Sequence, residues 1–171
     1  PEKVLAVGDA WAQRYPAPHM ALICAAVEAA RWLDESPENR LRAAHLLAGE
    51  KYLDLPVEVI SASLSGQLTV DQRGTQRELP DFHVFYRYAA NFPWRSHALW
   101  MLRQMVSWGQ LPADADLLAA AQATYRPDIY RRALKSTGTA LPGASSKVEG
   151  ALKVPTSVGT LQGKLMLGPD G

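Results

Sequence analysis

The chain has 171 residues, of which 47% are hydrophobic and 20% charged, and its formal net charge is +1. This length suffices for one domain with a sizeable core, and the balance of residue types is typical of a globular protein. A net charge so close to zero excludes a strong electrostatic attraction of the whole chain to nucleic acid or to an anionic membrane. A small anion stays possible, because one or two well-placed donors can bind it without any net charge.

The cysteine content and the two ends of the sequence bear on its cellular context. Cys24 is the single cysteine, so no disulfide can form within the chain. Its apolar neighbours suggest a thiol that packs as a small hydrophobe, and the apolar run is too short to span a bilayer. This pattern fits the cytoplasm as well as a disulfide-free periplasmic protein. The sequence starts without Met and stops without an obvious closing element, and we expect it to be a piece of a longer protein.

The first half of the chain is predicted to be mainly helical. The short apolar run Val4–Gly8 predicts a buried strand, and Asp9 after it predicts a short helix that stops at Tyr15 before a proline. Ser36 precedes a proline and an acid, which is typical of a helix start. Apolar repeats and turn residues predict further helices over residues 18–34, 37–48 and 56–64.

The second half begins with a glycine- and proline-containing stretch. Residues 65–82 predict mainly loop with a possible short strand at 67–70, and residues 82–88 fit a strand or a helical turn equally well. Three helices are then predicted, over residues 94–108 with Gly109 as the terminating residue, from residue 114 or 116 up to Arg126, and over residues 128–135. Beyond Leu141 the composition shifts to Gly, Pro, Ser, Thr and Lys.

These elements predict an α/β fold class in which this segment is predominantly helical and contains few strands. We expect residues 1–140 to form the mostly helical part and residues 141–171 an extended C-terminal tail. So few strands cannot build an independent sheet. The strand at residues 4–8 is therefore expected to join a sheet that sequence outside this segment completes.

The decapeptide NFPWRSHALW, residues 91–100, contains two tryptophans, an arginine and a histidine directly after an Asn-Phe-Pro turn. On a helical wheel, Trp94, Met101, Met105 and Trp108 share one apolar face with His97 at its rim. Such a face is usually core. We therefore interpret the decapeptide as the start of a packed helix, and Arg95 in its first turn as a side chain that reaches past the helix end.

No local motif for catalysis or for metal binding is present. The four histidines lack metal-ligand spacing, the glycines are too scattered for a phosphate loop, and the serines lack a nucleophile elbow. The sequence therefore predicts no catalytic residue, no metal ligand and no cofactor.

Lys3 is the residue that we single out for ligand binding. It directly precedes the predicted strand, and strand ends in α/β folds commonly face ligand clefts. An ammonium group there would supply a positive charge and up to three donors to a small oxyanion. From the residues alone, an exposed lysine near the start of the chain is the simpler interpretation.

Taken in order, several segments resemble the later part of the nitrate-binding proteins of ABC importers, which are relatives of the bicarbonate-binding ones. The matching segments are PEKVLAVGDAWAQRYP, HMALICAAVEAARWLDESPENR, AAHLLAGEKYLDLPVEVI, FHVFYRYAANFPWRSHALWMLRQMVSWGQL, RPDIYRRAL and GASSKVEG. The resemblance implies a two-lobed fold of the periplasmic-binding-protein type (type II) that closes on a small anion. It also implies that Lys3 contacts the anion, because nitrate binders carry a lysine near the start of the PEK-type segment and bicarbonate binders carry an acid there.

The resemblance leads to a main hypothesis and three alternatives. The main hypothesis is a periplasmic solute-binding component of a nitrate or nitrite importer, not an enzyme, whose partners are the small anion and an ABC permease. It would not bind nucleic acid and would meet the membrane only through a tether or the permease. The alternatives are a cytoplasmic nitrate or nitrite sensor that controls a regulatory protein, a bicarbonate-binding protein, and a relative of the thiamine-pyrimidine biosynthesis enzymes.

Overall fold

The computed structural model describes residues 3–148, 150, 152–160 and 163–168 of the chain. In these residues the elements in chain order are α1 (Asp9–Arg14), α2 (Pro16–Glu35), α3 (Pro37–Leu47), α4 (Val57–Ser65), β1 (Gln67–Thr69), β2 (Gln76–Glu78), a 3₁₀ turn (Arg87–Ala89), α5 (Arg95–Ser107), α6 (Leu117–Thr124), α7 (Pro127–Leu134), β3 (Thr156–Thr160) and β4 (Gly163–Leu167). No helix within these ranges is long and apolar enough to cross a membrane.

The contacts along the chain divide it into two compact units. The first consists of Pro1–Ala26 with Tyr88–Gly171, and the second of Val27–Arg87. Helix α2 is continuous across the boundary at residue 26 and contributes to both units.

The second unit is a helical hairpin followed by a β-hairpin. Helices α3 and α4 pack against each other and bury Ala43, Ala44 and Ile60. Strands β1 and β2 pair antiparallel, with Leu68 opposite Arg77.

The first unit has its buried side chains around α5, α6 and α7, and α5 packs on α6. The buried apolar residues of this unit include Phe92, Trp94, Ala98, Ala121, Tyr130, Leu134, Leu141 and Leu167. Strands β3 and β4 form a second antiparallel hairpin, and Thr160 of β3 also bridges to Pro142. Strand β3 therefore pairs back with the beginning of the segment that follows α7.

The helices predicted from local signals are confirmed. The Ser36 hydroxyl accepts a hydrogen bond from the backbone N of Asn39 at 3.2 Å, which caps α3. Asp116 caps α6 in the same way by accepting from the backbone N of Ala119 at 2.9 Å. Gly109 follows α5 with φ of 71°, the left-handed conformation expected of a residue that terminates a helix.

The strand predictions were less accurate. Residues 4–8 have no regular secondary structure in this segment, and none of the described strands pairs with them, so their place in a sheet completed by sequence outside the segment stays a prediction. A strand exists only when a neighbour accepts its hydrogen bonds, so apolar composition alone could not decide it. The strand possible at 67–70 is present as β1, whereas β2 and the β3–β4 hairpin were not predicted. Residues 82–88 form no strand, and a 3₁₀ turn begins at Arg87.

Candidate functional site

Lys3 lies at the start of the described chain, in the first unit, and is exposed. It belongs to a segment, residues 3–8, that has no regular secondary structure and leads into α1. Val4 and Leu5 beside it are exposed although both are large and apolar. Lys3 is therefore followed in the chain by two apolar side chains with little cover, and it is not part of the cleft lining described next.

A cleft of about 270 Å³ lies elsewhere in the first unit, where α1, the start of α2 and α7 meet. Its polar lining comes from Asp9, Gln13, His19, Arg126 and Arg132. Lys3 is not part of this lining. Two guanidinium groups and an imidazole could hold a small anion, but the Asp9 carboxylate opposes one.

Two of the charged groups in this cleft, Arg126 and Asp9, already have hydrogen-bond partners. Arg126 donates to both carboxylate oxygens of Asp128, at 2.9 and 2.7 Å. These hydrogen bonds raise the pKa of Arg126 and lower that of Asp128. Gln13 donates to Asp9, and the His19 ring lies edge-on to Trp11 at 6.1 Å between centroids. The cleft therefore resembles a solvated polar surface more than a prepared anion pocket.

The other histidines are not part of the lining of this cleft. His83 is in the second unit, where its Nε2 lies 3.0 Å from the Ser63 hydroxyl and its ring stacks on Phe85. His45 is exposed on α3, and His97 is half-buried on α5. Over the described ranges, no three His, Cys, Asp or Glu side chains gather closely enough to hold a metal ion.

The NFPWRSHALW stretch is the start of a packed helix. Trp94 is 1% exposed and meets Phe92 edge to face at 4.7 Å, and Phe92 meets Tyr130 at 5.4 Å. The Tyr130 hydroxyl donates to Asn91 at 2.8 Å, which ties α7 to the turn before α5. The helical wheel places Trp108 on the apolar face that we expect to be buried, but Trp108 is 68% exposed. It lies just beyond the last residue of α5, Ser107, at the end of the helix.

Arg131 is a residue that the sequence reasoning missed. Its side chain donates to the carbonyl oxygens of Pro142, Gly143 and Ala144 and to the Ser145 hydroxyl, at 2.6 to 3.2 Å. It also lies over the Phe92 ring at 5.1 Å. Arg131 therefore fastens the C-terminal segment to α7. No local motif could have revealed this, because its partners are backbone carbonyls eleven or more residues away.

Comparison with known proteins gives matches to parts of larger chains. The family model described as the NMT1-like family matches residues 1–48. The nitrate/nitrite binding protein NrtA of Synechococcus elongatus is 35% identical over 139 residues, which cover 81% of this chain and 31% of that protein. The bicarbonate transport ATP-binding protein CmpC of the same species is 33% identical over 138 residues, again 81% of this chain but 20% of that protein. The chain thus spans about a third of the binding protein and a fifth of the ATP-binding protein.

The fold is that of part of a solved structure. The crystal structure of the periplasmic nitrate-binding protein NrtA from Synechocystis PCC 6803 superposes with a TM-score of 0.76 at 23% identity, over 90% of this chain and 39% of that one. The predicted fold, a predominantly helical segment of a two-lobed α/β structure, is confirmed by this match.

Proposed function

Because this chain belongs to the family of the nitrate- and bicarbonate-binding proteins, we propose that it is part of the solute-binding component of an ABC importer for nitrate or nitrite. The observation that carries the proposal is the 35% identity with a nitrate/nitrite binding protein across 81% of the chain. In this proposal the protein binds a small oxyanion between two lobes, catalyses no reaction and delivers the anion to a permease from the periplasm.

Lys3 is the residue proposed to contact the anion. Nitrate is a planar monoanion with three acceptor oxygens and no proton to give, so its site needs a positive charge and N–H donors. Bicarbonate also carries a hydroxyl donor, which a carboxylate can accept. A lysine at this position therefore favours nitrate or nitrite over bicarbonate.

The exposure of Lys3 and of its apolar neighbours Val4 and Leu5 supports this placement. Such a cluster costs free energy in water, and a second lobe that closed over it would bury the apolar groups and leave the ammonium as a charged donor inside. Binding would then shift an equilibrium between open and closed forms, because the anion contacts both sides only in the closed form.

A second candidate function follows from the likeness to CmpC, which is named as an ATP-binding protein. A segment of this fold can evidently occur within such a protein as well as within a binding protein. In that setting the chain would belong to the ATP-binding component of an importer. Localising the tagged full-length protein distinguishes the two, since a periplasmic location supports the binding component and a cytoplasmic one the ATP-binding component.

The anion itself is tested by calorimetric titration of the full-length protein with nitrate, nitrite, bicarbonate and sulfate. We expect nitrate or nitrite to bind tightest, and Lys3→Ala to weaken that binding at least about tenfold, or roughly 1.4 kcal/mol. Lys51→Ala, which removes an exposed lysine of the second unit, is the matched control and should leave affinity unchanged. Tight binding of bicarbonate without nitrate binding would refute the ligand assignment, and unchanged affinity in Lys3→Ala would refute the role of Lys3.

A further inference from the structure

Two consecutive residues adopt the left-handed backbone conformation where the chain enters the first unit. Tyr88 has φ of 61° and ψ of 21°, and Ala89 has φ of 54°. Neither residue is glycine, and this conformation brings a Cβ atom too close to the following carbonyl oxygen. For a bulky residue such as tyrosine it is a genuine outlier. Strain of this kind persists only where the surrounding structure holds it in place.

The backbone directly before this pair is held within the second unit. The Asp34 carboxylate accepts hydrogen bonds from the backbone N–H groups of residues 85, 86 and 87, at 2.7 to 3.2 Å. Asp34 is itself paired with Arg40, and both side chains are largely buried. This anchor fixes the backbone up to Arg87, the last residue of the second unit, and the left-handed pair follows directly.

On the other side of the pair, the end of the C-terminal segment lies against the Tyr88 ring. At Gly168, which follows β4, a Cβ atom would lie 2.6 Å from Cδ2 and 2.9 Å from Cγ of Tyr88, closer than real Cβ atoms approach a neighbour. Cγ is bonded to the Tyr88 Cβ, so the ring cannot make room by moving its far end alone. Leu167 beside this contact is 6% exposed. The contact lies within the first unit, and its closeness requires glycine at position 168.

The C-terminal segment is also attached to the helices of the first unit at its beginning. Arg131 on α7 donates to the carbonyl oxygens of residues 142–144. The backbone N of Arg95 on α5 donates to the Ser145 carbonyl at 2.9 Å. We call the described part of residues 142–168 the strap. It is held at its beginning by hydrogen bonds and at its end by packing on Tyr88.

We propose that the strap is a conformational device that keeps Tyr88 and Ala89 in the left-handed state. The backbone of Gly168 occupies the space beside the Tyr88 ring, so the pair cannot turn to an ordinary conformation while the end of the strap is in place. When the end of the strap detaches, the pair relaxes and the Ala89 carbonyl turns away from the Phe92 backbone N, from which it accepts at 3.0 Å. The strap and the backbone at residues 88–89 thus form one element with two states.

Hydrogen–deuterium exchange of the full-length protein tests this device at the Phe92 amide, whose acceptor is the Ala89 carbonyl. We expect Gly168→Ala to detach the end of the strap and to speed exchange of this amide by about tenfold. Gly159→Ala is the matched control, because it adds the same methyl group to β3 of the same hairpin, where nothing lies within 4 Å of the new atom. It should leave the exchange of Phe92 unchanged.

The Asn39 amide, which donates to the Ser36 hydroxyl in the second unit, is the internal reference. It should exchange at the wild-type rate in both variants, which separates release of the strap from unfolding of the whole protein. Wild-type exchange of Phe92 in Gly168→Ala would overturn the proposal, because the left-handed pair would then persist without the strap. An equal acceleration in Gly159→Ala would overturn it as well.

A second pair of variants keeps the proposal falsifiable if Gly168→Ala does not fold. Glycine adopts positive φ at no steric cost, so Ala89→Gly should relieve part of the strain. Ala90→Gly is the control, because it changes the same residue type at the next, exposed position, where φ is not positive. We expect Ala89→Gly to melt at least about 1 °C above Ala90→Gly. An equal or lower melting temperature would show that the pair stores no strain for the strap to hold, and it would refute the device.

Discussion

Asp34, near the end of α2, and Arg40, on α3, form a buried ion pair that organises the second unit. Their side chains are 5% and 13% exposed. The Asp34 carboxylate also accepts hydrogen bonds from three consecutive backbone N–H groups, those of residues 85, 86 and 87, at 2.7 to 3.2 Å. Arg40 donates to the carbonyl oxygens of Leu33, Leu64 and His83. The pair therefore joins α2, α3, the end of α4 and residues 83–87.

We expect Asp34→Ala to lower the free energy of unfolding by roughly 3–5 kcal/mol, because it leaves Arg40 as an uncompensated buried charge and removes the acceptor of three N–H groups. The double variant Asp34→Ala/Arg40→Met should lose less than the sum of the two single changes. Chemical denaturation followed by circular dichroism measures both. The control is Asp81→Ala, which breaks an exposed ion pair with Arg87 and should cost about 1 kcal/mol or less. Equal losses in the two single aspartate variants would contradict the role of burial.

The same carboxylate predicts a dependence of stability on pH. Burial raises the pKa of Asp34, but the backbone N–H groups of residues 85–87 and the charge of Arg40 outweigh it, so the pKa is lowered overall. A lowered folded-state pKa contributes stability above the unfolded value of about 3.9, and this stability is lost as the pH falls through the folded value. Wild type should therefore exceed Asp34→Asn in stability at pH 7, by a margin that shrinks below about pH 4. Urea denaturation at pH 7, 4 and 3 measures this margin, and a constant margin would contradict the prediction.

Gly66 ends α4 with φ of 74°, and a Cβ there would collide with the backbone of Leu79. Gly74, in the turn between β1 and β2, has a similar φ of 81° but open space around it. Gly74→Ala should therefore cost only the dihedral strain, about 1 kcal/mol. Gly66→Ala should cost at least about 2 kcal/mol more, because the hairpin backbone must also move. Equal losses in denaturation experiments would show that the close approach to Leu79 is unimportant.

Trp94 and Trp108 lie one at each end of α5 and differ in burial. Trp94→Ala should lower the free energy of unfolding by about 3–5 kcal/mol, since it opens a cavity beside Phe92. Trp108→Ala should change it by about 0.5 kcal/mol or less. Denaturation followed by circular dichroism suits this comparison, because both variants remove a fluorophore. A large loss in Trp108→Ala would indicate that another part of the protein covers this end of the helix.

The sequence by itself determined the helices and the family, because both depend on local information. A serine before a proline caps α3, and a glycine in the left-handed conformation ends α5, whatever else surrounds them. The resemblance likewise rests on segments read in order, and it led to Lys3 as a proposed ligand.

Only the tertiary structure decided which groups far apart in the chain meet. Asp34 binds backbone groups some fifty residues later, and Arg131 binds carbonyl oxygens of a segment that looked featureless. A strand also needs a partner, so the apolar run at residues 4–8 stayed without regular structure while the polar residues of β1 and β2 paired. The physical reason is common to all three cases. Backbone hydrogen-bonding groups are alike in every residue, and only the folded chain selects which of them a side chain or strand reaches.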